Sequence, residues 1–137
     1  MRVVIDTNVV FEGLTKQGGA CGLIIDAWRA GLIKACVTNA LAYEYEDVLA
    51  RKLSARRWSQ IQPVLNGLLR QAEFVTIYFS WRPSSPDPGD DHLIDCAMNA
   101  SSLVVTSNKR DLAQAQNALG LKVMTPAEFV AAMTAPN

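Results

Sequence analysis

Short apolar runs alternate with longer amphipathic stretches along this 137-residue chain, the pattern of βα units laid around a parallel sheet. Five runs rich in Val or Ile read as strands: Arg2–Asp6, Lys34–Val37, Phe74–Phe79, Leu103–Thr106 and Lys122–Met124. Between and after them, apolar residues three and four apart predict helices over Gly19–Ala30, Ala40–Lys52, Trp58–Ala72, Asp91–Ala100, Asp111–Leu119 and Pro126–Met133. The expected fold is α/β, three layers with helices on both faces of a five-stranded parallel sheet. Pro63 falls inside the third helix, where a missing N–H and a crowded ring predict a kink or two shorter helices. Thr125-Pro126-Ala127-Glu128 carries a start signal, with an N-cap hydroxyl, Pro in the first turn and a capping-box Glu. The three prolines and final Gly of residues 82–89 predict a long loop.

Composition narrows the class without naming a chemistry. Half the residues are apolar and 19% are charged, which excludes a disordered chain, and the length suits one domain over residues 1–137. Thirteen basic and thirteen acidic side chains cancel, so affinity for a polyanion has to come from a local patch. Cys21, Cys36 and Cys96 are scattered and odd in number, as expected of buried thiols in a reducing cytosol. No segment approaches the roughly 18 consecutive apolar residues of a membrane helix, and the start meets Asp6 too early for a signal peptide. The expectation is a soluble cytoplasmic protein with no membrane partner.

Candidate chemistry lies in acids placed where a core does not want them. Val3-Val4-Ile5-Asp6-Thr7-Asn8 is an apolar strand that ends on a carboxylate, and ligands of open α/β sheets sit at the carboxyl ends of strands. Glu44 stacks at helical spacing with Leu41 and Val48, whereas Glu46 and Asp47 fall off that stripe. An ionised Glu on an inward face is costly unless paired or metal-bound. Asp90 reads as a helix cap, but Asp91 shares a face with Ile94 and Met98, and Asp95 joins it four residues on. His92, the one histidine, points off that face and reads as solvated. Leu103-Val104-Val105-Thr106-Ser107-Asn108 repeats the opening device, and Asn108 or Asp111 would lie beside Asp6 if the two strands are neighbours. Taken alone, Ser107 or Asn108 is an N-cap and Asp111 a dipole-favoured acid.

Four acids, Asp6, Glu44, Asp91 and Asp111, can thus converge at one end of the sheet. Oxygen ligands of this kind suit Mg²⁺ or Mn²⁺ held with waters and substrate phosphate, and the implied reaction is phosphoester hydrolysis. Thr7, Asn8 and Thr106 are placed to orient the acids and their waters, and Asp95 is a further candidate ligand.

Val4-Ile5-Asp6-Thr7-Asn8-Val9, Glu44 to Arg51, Asp87 to Asp91 with Asp95-Cys96-Ala97, and Val104 to Leu112 together resemble the PIN-domain ribonucleases, in particular the bacterial PIN-family toxins related to VapC. The resemblance runs almost end to end. It implies a five-stranded parallel sheet in the order 3-2-1-4-5 and a metal-dependent endoribonuclease that uses Asp6, Glu44 and Asp91. The family position often held by Asp is Asn108 here, which brings no charge to a second metal, and Asp111 matches another frequent family acid. The resemblance also implies an RNA substrate, an antitoxin protein as partner and a possible homodimer. Arg51, Lys52, Arg56 and Arg57, with Lys109 and Arg110 beside the acids, offer a basic rim for RNA phosphates, and Trp58 and Trp81 could stack on bases or pack in the core. Two rivals remain open: a catalytically silent PIN-fold module that binds RNA or protein, and a phosphatase-like enzyme with an aspartyl nucleophile. The second lacks another Asp close to Asp6-Thr7-Asn8.

Overall fold

The first strand passes into a helix with no loop between them. In a computed structural model, which describes residues 1–16, 18–80 and 90–135 and Asp90 only as part of a helix, strand β1 spans Arg2–Ile5 and helix α1 spans Thr7–Thr15. Asp6 holds the junction: its extended backbone (φ −62°, ψ 146°) lets its carbonyl accept from Val9 N at 3.0 Å and Val10 N at 3.2 Å. The predicted loop at 82–89, Trp81 and the Asp90 side chain lie outside the described residues.

Helix α1 was not expected from the sequence. Its Thr7, Val9 and Val10 are β-branched and weak helix formers, yet all three are buried, so packing overrides propensity. Gly13 allows that packing. A methyl group there would overlap Ile25 and come within 2.6 Å of the Cys21 carbonyl, so α1 lies close against α2, Gly19–Arg29.

The chain continues through β2 (Lys34–Val37), α3 (Asn39–Lys52), α4 (Ala55–Gln71), β3 (Glu73–Phe74), α5 (Asp90–Ala100) and β4 (Leu103–Val105). A 3-10 turn (Lys109–Leu112), α6 (Ala113–Leu119), β5 (Val123–Met124) and α7 (Pro126–Thr134) complete it. The five strands are parallel in the order β3-β2-β1-β4-β5, which is the order that the resemblance implies. Val3 faces Ala35 on one side and Leu103 on the other. Helix α5 packs on β1, β2 and β4, while α1, α2, α3, α4 and α7 pack on one another in turn. Val3, Val4 and Ile5 are fully buried, with Trp28, Tyr45 and Phe129 the bulkiest of the core side chains.

Three further expectations need correction. Helix α4 is continuous across Pro63; Pro63 and Ser59, whose carbonyl loses its partner, are both exposed, so water can satisfy that carbonyl. Strand β3 ends at Phe74 instead of Phe79 because β2 stops at Val37 and Thr38 turns to cap α3, leaving Val75 N to Val37 O (2.8 Å) as the last rung. The helix expected from Asp111 begins as a 3-10 turn and becomes α-helical only at Ala113. Among the described residues no helix is long and apolar enough to cross a membrane.

Candidate active site

Neighbouring strands β1 and β4 end together, and their end residues form the centre of the site. Ile5 pairs with Val105, and Asp6 N donates to Val105 O at 2.9 Å. One residue beyond each strand, the buried Thr106 hydroxyl donates to Asp6 Oδ2 at 2.6 Å. The same hydroxyl accepts from Asn108 N at 3.0 Å, and Asn108 Nδ2 donates to Asp111 Oδ2 at 2.6 Å. Asn108 therefore acts as a tie. It links the Thr106 hydroxyl that holds Asp6 to the carboxylate of Asp111.

Burial pushes the Asp6 carboxyl above the ordinary carboxylate range. The Thr106 hydroxyl and the Thr7 and Asn8 N–H groups pull it back, and the charge of Asp111 pushes it up further. The net shift is upward, so the protein alone does not fully offset the charge held here. A cation would.

Glu44 reaches the same edge from α3. Its Oε2 accepts from the Thr7 hydroxyl, the residue after Asp6. The inward stripe of α3 is Leu41, Tyr45 and Leu49, with Glu44 and Val48 half-buried at its margin. Tyr45, which the sequence reading passed over, fixes this placement. Its fully buried hydroxyl donates to the Ile5 carbonyl, directly before Asp6, and burial holds its pKa well above the usual phenol range. A Tyr at a core position gives little sign in sequence that its hydroxyl clamps the helix of Glu44 to the strand that leads to Asp6.

Asp91 and Asp95 lie on the buried face of α5 at 6% and 4% exposure. Because α5 runs back across the sheet to start β4, its first turn, with Asp91, stands at the carboxyl edge that holds Asp6. His92 and Asn8 are exposed. Among the described residues no three His, Cys, Asp or Glu side chains gather closely enough to hold a metal ion by themselves.

The basic residues divide. Lys109 Nζ pairs with Glu128 Oε1 at 3.2 Å, which ties the 3-10 turn to the capping box of α7, and Arg51 pairs with Asp47 at 2.9 Å. Arg110 is exposed. Lys52, Arg56 and Arg57 lie at the α3–α4 corner, where Trp58 is half-buried. All three cysteines are free and buried, with the Cys21 and Cys96 thiols pushed up to about 12 by burial. They are inert packing groups.

A family model described as PIN domain matches residues 2–110. The chain belongs to the PIN domain family. A comparison with curated proteins finds no match. Among solved structures, this PIN domain resembles VapBC2 from Rickettsia felis, determined bound to a DNA fragment from their promoter. The identity is 12% over 91% of this chain and 98% of that one, with a TM-score of 0.65. FitAcB from Neisseria gonorrhoeae matches at 17% identity over 91% and 98%, TM-score 0.65. VapBC-1 from nontypeable Haemophilus influenzae matches at 10% over 93% and 99%, TM-score 0.61. At such identities the likeness is one of fold.

Proposed function

We propose that this PIN domain is a metal-dependent endoribonuclease that hydrolyses RNA phosphodiester bonds at the Asp6 edge, and that it is the toxin half of a toxin–antitoxin pair. The observation that carries this reading is the chain of contacts from Asn108 through Thr106 to Asp6, with Asp111 tied to the same Asn and Glu44 to the residue after Asp6. It places acids from three separate segments at the carboxyl edge of a PIN-family sheet.

The donor set fits Mg²⁺ or Mn²⁺. Such an ion is commonly held by one or two carboxylates, with waters and substrate phosphate filling the remaining positions, so a closed cage of three acids is not required. Asp6 and Asp111 are the carboxylates we assign to it, with Glu44 and Asp91 as the other acids of the edge. When bound, the ion supplies Lewis acidity that activates water and offsets charge on the leaving oxygen. The protein's own part is orientation. Thr106 fixes Asp6, Asn108 fixes Asp111, and Thr7 fixes Glu44, which would ligate the ion or position a water. Asp95, one turn beyond Asp91 and buried like it, is the further candidate ligand.

A protein partner is proposed from the company this fold keeps, since VapBC2, FitAcB and VapBC-1 were each solved as such named assemblies. An antitoxin would cover the acidic edge, and a homodimer is compatible with either state. The rival reading, a silent binding module, draws on the lack of a three-acid cluster among the described residues. Incubating the protein and its Asp6→Asn variant with a mixed RNA panel and Mn²⁺ tests the proposal. Cleavage by the native chain alone supports it, and equal activity in the variant overturns the assignment.

A further inference from the structure

Two arginines stand at the wrong end of a helix. Arg56 and Arg57 occupy the first turn of α4, with no acid in that turn, where the positive end of the helix dipole disfavours cations. Lys52, in the last turn of α3, is close by in the chain. Among the described residues none of the three pairs with a carboxylate. Structural roles account for part of this corner: Arg57 Nη2 donates to the terminal Thr15 carbonyl of α1 at 2.9 Å, and Lys52 Nζ sits 5.2 Å above the Phe11 ring. Neither role accounts for Arg56, nor for gathering like charges in a chain whose net charge is zero. Stability sacrificed at one surface point is a mark of function.

The corner has a fixed relation to the acids. Helices α1 and α3 pack side by side, with the Thr7 to Glu44 bond and Lys52 over Phe11 as two contacts between them. Eight residues of helical rise separate Glu44 from Lys52, about 12 Å. A short stretch of the strand cut at the acids covers that separation, and it carries a phosphate at every nucleotide. Guanidinium groups match phosphate in a fork geometry; Arg56 is exposed, and Arg57, also exposed, keeps further N–H donors beside the one given to Thr15.

We propose that Lys52, Arg56 and Arg57 hold phosphates of the RNA strand to one side of the bond being cut. The proposal rests on the ribonuclease reading and adds a binding track to it. Its test is fluorescence anisotropy of a labelled single-stranded 12-mer across a KCl titration, with every protein carrying Asp6→Asn so that binding is read without cleavage. Replacing the three bases together by Gln should weaken binding at least tenfold and reduce the salt slope by about 2, since each phosphate contact on a single strand contributes about 0.7. A charge-keeping set, Lys52→Arg with Arg56→Lys and Arg57→Lys, should restore most of the slope.

An unchanged slope overturns the proposal. So does equal loss in both substituted sets, which would mark a structural role. Loss of binding to an acidic protein partner with the RNA slope intact would assign the corner to that partner and overturn it as well. Failure of the native chain to cleave any RNA sinks the ribonuclease reading separately, because the slope is read without cleavage.

Discussion

Tyr45→Phe deletes one oxygen and separates the clamp on the site from mere packing. The ring stays, so the buried apolar area is unchanged, while the Ile5 carbonyl loses the hydroxyl that donates to it. Tyr45 and Ile5 are both fully buried, so no water can reach that carbonyl without opening the core. Leaving a buried acceptor unsatisfied costs about 1–3 kcal/mol. For a domain of this size each kcal/mol lowers the melting midpoint by about 4 °C, so the expected drop is about 4–12 °C. Urea unfolding should show a lower midpoint with an unchanged slope, the mark of lost stability without a change in the surface exposed. RNA cleavage should fall as well, because Glu44 is the preceding residue on the same helix. Tyr78→Phe, at a residue 78% exposed, is the control and should shift neither quantity. A Tyr45→Phe protein within about 0.5 kcal/mol of the native chain would refute the clamp.

Three other outcomes follow from particular contacts. Thr106→Val removes the bond to Asp6 and the acceptor for Asn108 N and should cost about 2 kcal/mol, whereas Thr106→Ser, which keeps the hydroxyl, should cost less than about 1 kcal/mol; equal losses by thermal unfolding would deny the bridge. Gly13→Ala drives a methyl into Ile25 and the Cys21 carbonyl and should destabilise by about 1–3 kcal/mol, although alanine favours helix, so a stabilised variant would contradict the close packing of α1 on α2. The Arg2 hydrogen bonds hold the Glu73 carboxyl below the usual range. A depressed folded pKa gives stability that is present above the ordinary carboxylate pKa and lost as pH falls through the folded value. Between neutral pH and pH 3, Glu73→Gln should therefore lose less of its melting midpoint than the native chain, and parallel curves would contradict the pairing.

Much of this architecture was legible, for identifiable reasons. Residues 2–6, 34–37 and 103–106 announce the three central strands because strands buried on both faces read as unbroken apolar runs. The edge strands gave less away. β3 is cut to two residues by where β2 turns, a constraint in a neighbour nearly forty positions earlier. Helix α1 was hidden by β-branched residues that only tertiary packing makes helical. The acids Asp6 and Asp111 stood out as polar stops after apolar strands, and Thr7 and Thr106 as groups able to orient them. What joins them was not legible: the Thr106 to Asp6 bond spans 100 positions, and Tyr45 looks like any core aromatic. The pairing of Lys109 with Glu128 was not legible either, because a charge pair across nineteen residues has no local signature.

A calorimetric titration of Mn²⁺ into the native protein and its Asp6→Asn variant tests the central claim most directly. The account predicts saturable binding to the native chain that Asp6→Asn abolishes while the variant remains folded by circular dichroism. Binding that is absent from the native chain, or equal in the two proteins, would contradict it.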